Sequence, residues 1–439
     1  MRRRRTWPAL GALALAGALA GCGSGVSSHP AGTATPGTVA GPGGPTTITN
    51  TAAASPISVG CSRAALGALE GVAHRVYAES ANGRVVAQAV QRLGSSRALA
   101  GAIERDEPAA ARRVLGTLLL NQIVSVRVTR GGHTLARIER GAGIAPASGR
   151  VLGAGGREVG TFTVSVQGAN GYAQTVAGLL DTQVVVRSGG RLLNSTLRPA
   201  PALARGQGEV SWRGVSYRVG TFAGSAFPNR PVSISLLVSP ASLAGICPGG
   251  AASTSTVAQA RANTLGRVAE RVYYAEHAGS KAELILAYVE RSRPFREAVR
   301  AGNATGTRAA IIEFFRSHLH IVRVRVMRAG KLLVDVGGPH VLAPIPGVIR
   351  DAKGRVAAHF LLAIQDDLGF QILAHAFTGA QVLMREGRQQ VMGTLSPGPA
   401  TVPSRGGVLY RGVTYRAYSF GAEAFPSGPL RISLLFGAG

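Results

Sequence analysis

Val322-Arg-Val-Arg-Val326, closed by the Ala329-Gly330 pair and answered by Leu332 to Val336, is the stretch that decides the fold. Valines alternate with arginines at a period of two, which marks a strand with one buried and one wet face, and the Gly-containing turn returns the chain as a hairpin. The same stretch occurs once before, as Val124-Ser-Val-Arg-Val128, earlier by 198 residues (322 minus 124). Working outward at that offset, without a gap, Trp212-Arg-Gly-Val-Ser-Tyr-Arg218 returns as Tyr410-Arg-Gly-Val-Thr-Tyr-Arg416. Ala226-Phe-Pro228 and Val232-Ser-Ile-Ser-Leu-Leu237 return as Ala424-Phe-Pro426 and Leu430-Arg-Ile-Ser-Leu-Leu435. A unit this long exceeds a solenoid repeat, which runs about 20 to 50 residues, and has the size of a domain. Function is therefore to be sought in one fold used twice.

Upstream of each hairpin the period is 3.6. Val257 to Val289 carries Leu265, Val268, Val272, Leu284, Leu286 and Val289 at helical spacing, and Ala64 to Leu93 is its counterpart. Within them Val72-Ala-His-Arg-Val-Tyr77 matches Val268-Ala-Glu-Arg-Val-Tyr273. A further helix is predicted in each unit, one from the Asp106-Glu-Pro108 start to Leu120 and one from a Thr305 or Thr307 cap to about His318. Downstream, Gly337 to Gly354 reads as a Gly/Pro-rich loop, Val356 to Ile364 as a strand and Leu368 to Thr378 as a short helix. Closing strands are predicted around Val382 to Met384, Gln390 to Leu395, Val413 to Phe420 and Leu430 to Leu435. Helices leading into an antiparallel meander give an α+β class with one sheet per unit.

The N-terminus carries export signals. Arg2 to Arg5 form a charged region, Ala9 to Ala20 an apolar stretch too short to span a bilayer, and Leu19-Ala20-Gly21-Cys22 a small-residue processing site. This resembles a bacterial lipoprotein signal, which implies that residues 1–22 are the signal and that Cys22 becomes an acylated N-terminus. The other reading is an ordinary signal peptide that happens to contain a cysteine. Residues 23–60 are Gly, Ser, Thr, Ala and Pro with few large apolar side chains, a composition that reads as a tether. Residues 248–256 form a shorter polar linker, leaving 61–247 and 257–439 as the two domains. The remaining cysteines, Cys61 and Cys247, bracket the first domain; outside the cytoplasm such a pair is expected to be oxidised, the alternative being two unrelated thiols.

The helix leading into Val322-Arg-Val-Arg-Val326, the Gly330 turn, the Gly354-Arg-Val356 strand start, and Gly412-Val-Thr-Tyr415 followed by Ala424-Phe-Pro426 together resemble the extracytoplasmic Cache sensor family. The resemblance covers nearly all of both repeats. It implies a long N-terminal helix packed on a PAS-like antiparallel sheet, used twice, with a small ligand held between one sheet face and its covering loops. Two features depart from the family pattern: no stretch after the signal is a transmembrane candidate, and no cytoplasmic output module follows. The arrangement of Tyr, Arg, Trp and Asp that binds amino acids in that family has no match here.

A formal charge of +27 would suit nucleic acid, but it comes from arginine, with lysine only at 281, 331 and 353, and no aromatic-interleaved basic block exists. For an exported chain, attraction to anionic lipid headgroups or wall polymers is the better inference, and a nucleic-acid partner is not expected. Arg323 and Arg325, with Arg127 in the first repeat, are candidate anchors for a carboxylate or phosphate, although cross-strand charge pairing weighs more. His340 in the covering loop and His359 on the next strand could join them, against the heavier reading of surface histidines; His277, His318, His320 and His375 further enrich the second repeat. Tyr217 and Tyr415 recur at matched positions, as ligand donors or, more often for such residues, as packing. Asp366-Asp367 reads as a helix start rather than a catalytic dyad. No nucleophile elbow, phosphate loop, zinc-binding His pair or Cys-x-x-Cys is present, so neither an enzyme nor a cofactor or metal is expected. The leading expectation is a lipid-anchored sensor that binds a small ligand or relays a signal to a membrane partner. The competing expectation is a structural or adhesive envelope module, and an exported hydrolase ranks third.

Overall fold

A computed structural model describes residues 59–118, 123–203, 208–247, 256–317, 321–338, 341–425 and 428–437. Cys22, His318, His320 and His340 lie outside the described residues, as do the signal and nearly all of the tether. Repeat one runs α1 (Val59–Asn82), α2 (Arg84–Gly94), α3 (Arg97–Glu104), α4 (Pro108–Leu118), β1 (Ser125–Arg130), β2 (His133–Glu139), β3 (Gly143–Ile144), β4 (Ala147–Leu152), β5 (Glu158–Ser165) and β6 (Gln167–Gly168). It continues through α5 (Ala169–Leu180), β7 (Gln183–Ser188), β8 (Arg191–Ser195), β9 (Gly208–Trp212), β10 (Val215–Ala226), β11 (Arg230–Val238) and α6 (Pro240–Ala244). Repeat two begins α7 (Val257–Ala278), α8 (Ser280–Arg291), α9 (Arg293–Ala301), α10 (Ala304–Ser317), β12 (Arg323–Arg328), β13 (Lys331–Gly337), β14 (Val341–Leu342), β15 (Ile345–Arg350), β16 (Val356–Ala363) and β17 (Gln365–Asp366). It ends α11 (Asp367–Thr378), β18 (Gln381–Glu386), β19 (Gln389–Gly393), β20 (Arg405–Tyr410), β21 (Val413–Phe425) and β22 (Gly428–Gly437).

The class is α+β and, among the described residues, every α-helix and sheet strand of repeat one except α6 recurs in repeat two, but each repeat holds two sheets where the sequence predicts one. The small sheets are ordered β2-β1-β5-β4 and β13-β12-β16-β15, and the large ones β6-β3-β10-β11-β7-β8 and β17-β14-β21-β22-β18-β19, with β9 and β20 added on β10 and β21. The crossing points are two-residue strands inside the Gly/Pro-rich excursion. Leu342 pairs with Gln365 and Ala424 of the large sheet before Ile345 returns the chain to the small one. Two residues are too few to show a period of two, so the switch leaves no sequence signal.

The predicted long helices are also divided. α1 and α2 are separated by Gly83, and α7 and α8 by Gly279, both in extended backbone. A Cβ at Gly83 would stand 2.3 Å from the Glu79 carbonyl oxygen, and one at Gly279 2.4 Å from that of Ala275. Only glycine lets the chain leave the helix so close to its own last turn. The first helix starts at Val59, two residues inside the expected tether. The α10 cap is Asn303, whose Oδ1 accepts from Gly306 N at 2.9 Å, rather than Thr305 or Thr307.

Each long helix lies on the large sheet of its own repeat, and α1 and α7 also pack on each other. One hydrophobic core therefore runs through both repeats, joining Leu69, Val72 and Tyr172 to Val268, Val272 and Phe370. A tyrosine fastens each helix to its sheet. Tyr77 Oη accepts from Ser225 N at 2.6 Å, and Tyr273 Oη accepts from Glu423 N at 2.8 Å, which explains why the Val-Tyr pair recurs. Arg75 donates to the Phe377 carbonyl at the end of α11, and its counterpart Arg271 reaches Asp181 at the end of α5, so each repeat caps a helix of the other with a cation. Each small sheet builds a separate core with the helices that precede it, α2 to α4 in one repeat and α8 to α10 in the other.

Candidate functional site

The β12–β13 hairpin supplies the site. On β12, Val324 and Val326 are fully buried against Phe295, Val299 and Phe314 of the helices, so Arg325 and Met327 occupy the opposite face. Antiparallel pairing sets Arg325 beside Leu361 and Met327 beside His359, while β15 places Pro346 beside Leu361 and Val348 beside His359. These residues line a cleft of about 530 Å³, and Glu290 of α8 borders it. Glu290 Oε1 accepts from Val348 N at 3.3 Å, at the edge strand. The volume falls in the range of small-molecule sites.

Two of the arginines predicted as anchors thus have different fates. Arg323 donates through Nε and Nη2 to both oxygens of Asp335 at 2.8 Å, and through Nη1 to the Gly338 carbonyl at 2.9 Å. Its guanidinium also lies 4.9 Å from the Phe425 ring centre, and the side chain is only 13 % exposed. Arg323 is therefore a structural ion pair, the cross-strand pairing that weighed more in the sequence. Arg325 shares the same carboxylate more loosely: its Nε is 3.8 Å from Asp335 Oδ2, an ion pair too long for a hydrogen bond, and that buried nitrogen has no hydrogen-bond acceptor among the described residues, as is true also of Arg127 Nε in repeat one. A buried donor without an acceptor is costly, and an anion in the cleft would relieve it.

Among the described residues, Arg325 and His359 are the two predicted ones that share the cleft. Arg127, the counterpart of Arg325, lies on β1 between Arg137 and Thr163, where repeat two has Asp335 and Leu361. The tyrosines are elsewhere. Tyr217 packs with Val185, Leu197, Val219 and Leu237 on a large sheet, and Tyr415 packs beside Val402, Val408 and Leu435 on the other. His375 Nδ1 is 2.8 Å from the Ala380 carbonyl oxygen and stays at its own helix end. Asp366 caps α11 by accepting from Gly369 N, as expected. Glu290 escaped the sequence reading because it continues an amphipathic helix, and only the approach of β15 gives it a neighbour to act on. Among the described residues no group of three His, Cys, Asp or Glu could hold a metal ion. Nor, among them, is any helix long and apolar enough to cross a membrane.

Cys61 and Cys247 form a disulfide with a Cα–Cα distance of 5.9 Å, closing repeat one end to end.

No family model matches the chain, and no curated protein matches it. Among solved structures it is similar to the periplasmic domain of Vibrio cholerae LuxQ, at 11% identity over 42% of this chain and 99% of that one, with a TM-score of 0.26. It is similar also to the ligand-binding domain of the Pseudomonas fluorescens chemoreceptor CtaA in complex with L-alanine, at 14% identity over 39% of this chain and 93% of that one, again with a TM-score of 0.26. An extracellular ligand-binding receptor from Desulfohalobium retbaense gives 10% identity over 36% of this chain and 41% of that one, at 0.22. Likenesses of this size assign no function.

Proposed function

We propose that the chain is an exported, lipid-anchored and non-catalytic sensor module, with two Cache-like repeats occupying residues 61–247 and 257–439. Its repeat-two cleft takes a small ligand carrying a carboxylate or phosphate, and the occupied state is read by a membrane partner. The observation that carries this reading is the cleft that brings Arg325 and His359 together, with Arg325 Nε 3.8 Å from Asp335 and making no hydrogen bond. A ligand with an anionic group toward Arg325 and a hydrogen-bond donor toward Glu290 would satisfy both charges at once.

Calorimetry on the full chain with a panel of small carboxylates and inorganic phosphate is the test. Arg325→Ala is expected to weaken binding by about 1.5 to 3 kcal/mol, the range for a hydrogen bond to a charged group. Arg127→Ala in the other repeat is expected to leave it unchanged. The converse pattern would move the site to repeat one, and silence across the panel would favour the structural or adhesive reading. Anchoring is tested separately: Cys22→Ser is expected to release the protein from membranes, and unchanged membrane partition would sink acylation at that residue.

A further inference from the structure

The seam between α1 and α7 opens into a second cleft, of about 380 Å³, none of whose lining residues belongs to the Arg325 site. Arg63, Gly67, Gly71 and Arg75 line it from α1, and Arg261 and Leu265 from α7. The α1 residues fall at every fourth position, so they form one stripe along the helix. Its middle carries no side chains, and a Cβ built on Gly67 or Gly71 would meet nothing within 4 Å. Packing therefore requires glycine at neither position; the room above them belongs to the cleft.

Three arginines line that room, and its lining contains no carboxylate. Arg75 is half-buried, and burial first, then the charge of Arg261, holds its pKa below the ordinary arginine value. One of its five donors is satisfied by the Phe377 carbonyl oxygen at 2.8 Å. Arg261 and Arg63 are each the fifth residue of their helix and both are exposed, so Arg75 is the partly desolvated member of the three. Like charges gathered in a partly desolvated cleft are destabilising until an anion joins them.

We propose that this seam binds a phosphate-bearing group, held by Arg63, Arg75 and Arg261 above the floor of Gly67 and Gly71. Guanidinium donors meet phosphate oxygens in pairs, and the cleft is large enough for a phosphate ester as well as for the free ion. The group is supplied by a phospholipid headgroup or by a soluble phosphate, which share this chemistry and differ in the experiment.

The full chain carrying Cys22→Ser, so that acylation does not mask the readout, is titrated calorimetrically with inorganic phosphate and with pyrophosphate. Separately it is sedimented with vesicles of phosphatidylglycerol or of phosphatidylcholine. Arg261→Gln and Gly67→Leu are each expected to weaken binding about tenfold or more. Gly67→Leu adds its side chain to open space and improves helix propensity, so its thermal midpoint is expected at or above that of the parent. Arg112→Gln removes the same charge from an exposed position on α4 and is expected to change binding by less than about twofold. Phosphate heat that both seam variants abolish supports a soluble group. Binding to phosphatidylglycerol vesicles that both abolish, without phosphate heat, supports a headgroup. Binding indifferent to Gly67→Leu, or weakened as much by Arg112→Gln as by Arg261→Gln, would overturn the site in favour of diffuse charge. Binding to none of the phosphate, pyrophosphate and vesicle probes overturns it as well.

Discussion

Two positions exchange their bulk between the repeats. In repeat two the α7 residue is Gly266 and the β21 residue is Tyr418, whose ring lies where a Cβ on Gly266 would stand 2.1 Å away. In repeat one the matching residues are Glu70 and Gly220, and a Cβ on Gly220 would stand 1.9 Å from Glu70 Oε1. The helix and strand approach so closely that only one side chain fits between them. Gly220→Tyr alone is therefore expected to cost about 1 to 3 kcal/mol in denaturant unfolding, the usual range for overpacking. Adding Glu70→Gly should recover most of that cost; additive losses in the double-mutant cycle would show that the two positions do not share one space. In repeat two, burial and the hydrogen bond to Glu270 push Tyr418 up to about 12, so it remains a neutral donor. Such complementarity is invisible to a reading that looks for matching residues, because here the residues match by being different. The arginines teach the same lesson from the other side. Arg323 and Arg325 are two apart on one strand and share a face, so their sequence context is equal; Asp335, reached across the hairpin, hydrogen-bonds the first at 2.8 Å and holds the second only as an ion pair at 3.8 Å.

At the scale of elements, the glycine breaks decide where the small sheets sit. Gly83 and Gly279 turn the chain out of α1 and α7 and into the helices that cover β1 and β12, so each small sheet is hung from a long helix at a glycine. Gly83→Ala is expected to destabilise by about 1 to 3 kcal/mol, since its Cβ meets the Glu79 carbonyl, whereas Gly67→Ala, in open space on the same helix, should stabilise by up to about 1 kcal/mol. Equal shifts of the unfolding midpoint would mean that the break is not steric. The hairpins, the closing strands other than β20 (Arg405–Tyr410) and the α11 start were legible because period, turn glycine and capping aspartate are all local signals. The Ala329-Gly330 turn has φ values of 49° and 76°, the two-residue turn that the sequence implied. What the sequence hid is short or interrupted. α3 and α9 are 8 and 9 residues long and run into their neighbours' pattern, and β3 and β14 have two residues each. The cleft followed the same division: its strand residues could be placed by alternation, while its Glu290 wall depended on how a helix meets an edge strand.

At the scale of the whole molecule, two repeats share one core, yet only the first is closed by a covalent bond. Cys61 and Cys247 are 186 residues apart, and chain-entropy arithmetic for such a loop gives an upper stabilisation of about 5 kcal/mol. Cys247→Ala is expected to lower the thermal midpoint of the purified protein by a margin that reducing agent reproduces in the parent; a parent insensitive to reductant would show that the bond adds nothing to stability. The bond has a mechanical meaning too. Cys61 is the third residue of α1, next to the tether, and Cys247 is the last described residue before the linker to repeat two. Tension applied between the N-terminus and repeat two would therefore cross the sulfur bridge and bypass the backbone between the two cysteines. Under oxidising conditions the backbone between the two cysteines is a shunted loop that cannot lengthen, and the contour length that a stretched chain gains comes from repeat two. Reduction would open that loop and release roughly 600 Å of extra contour length in a pulling experiment.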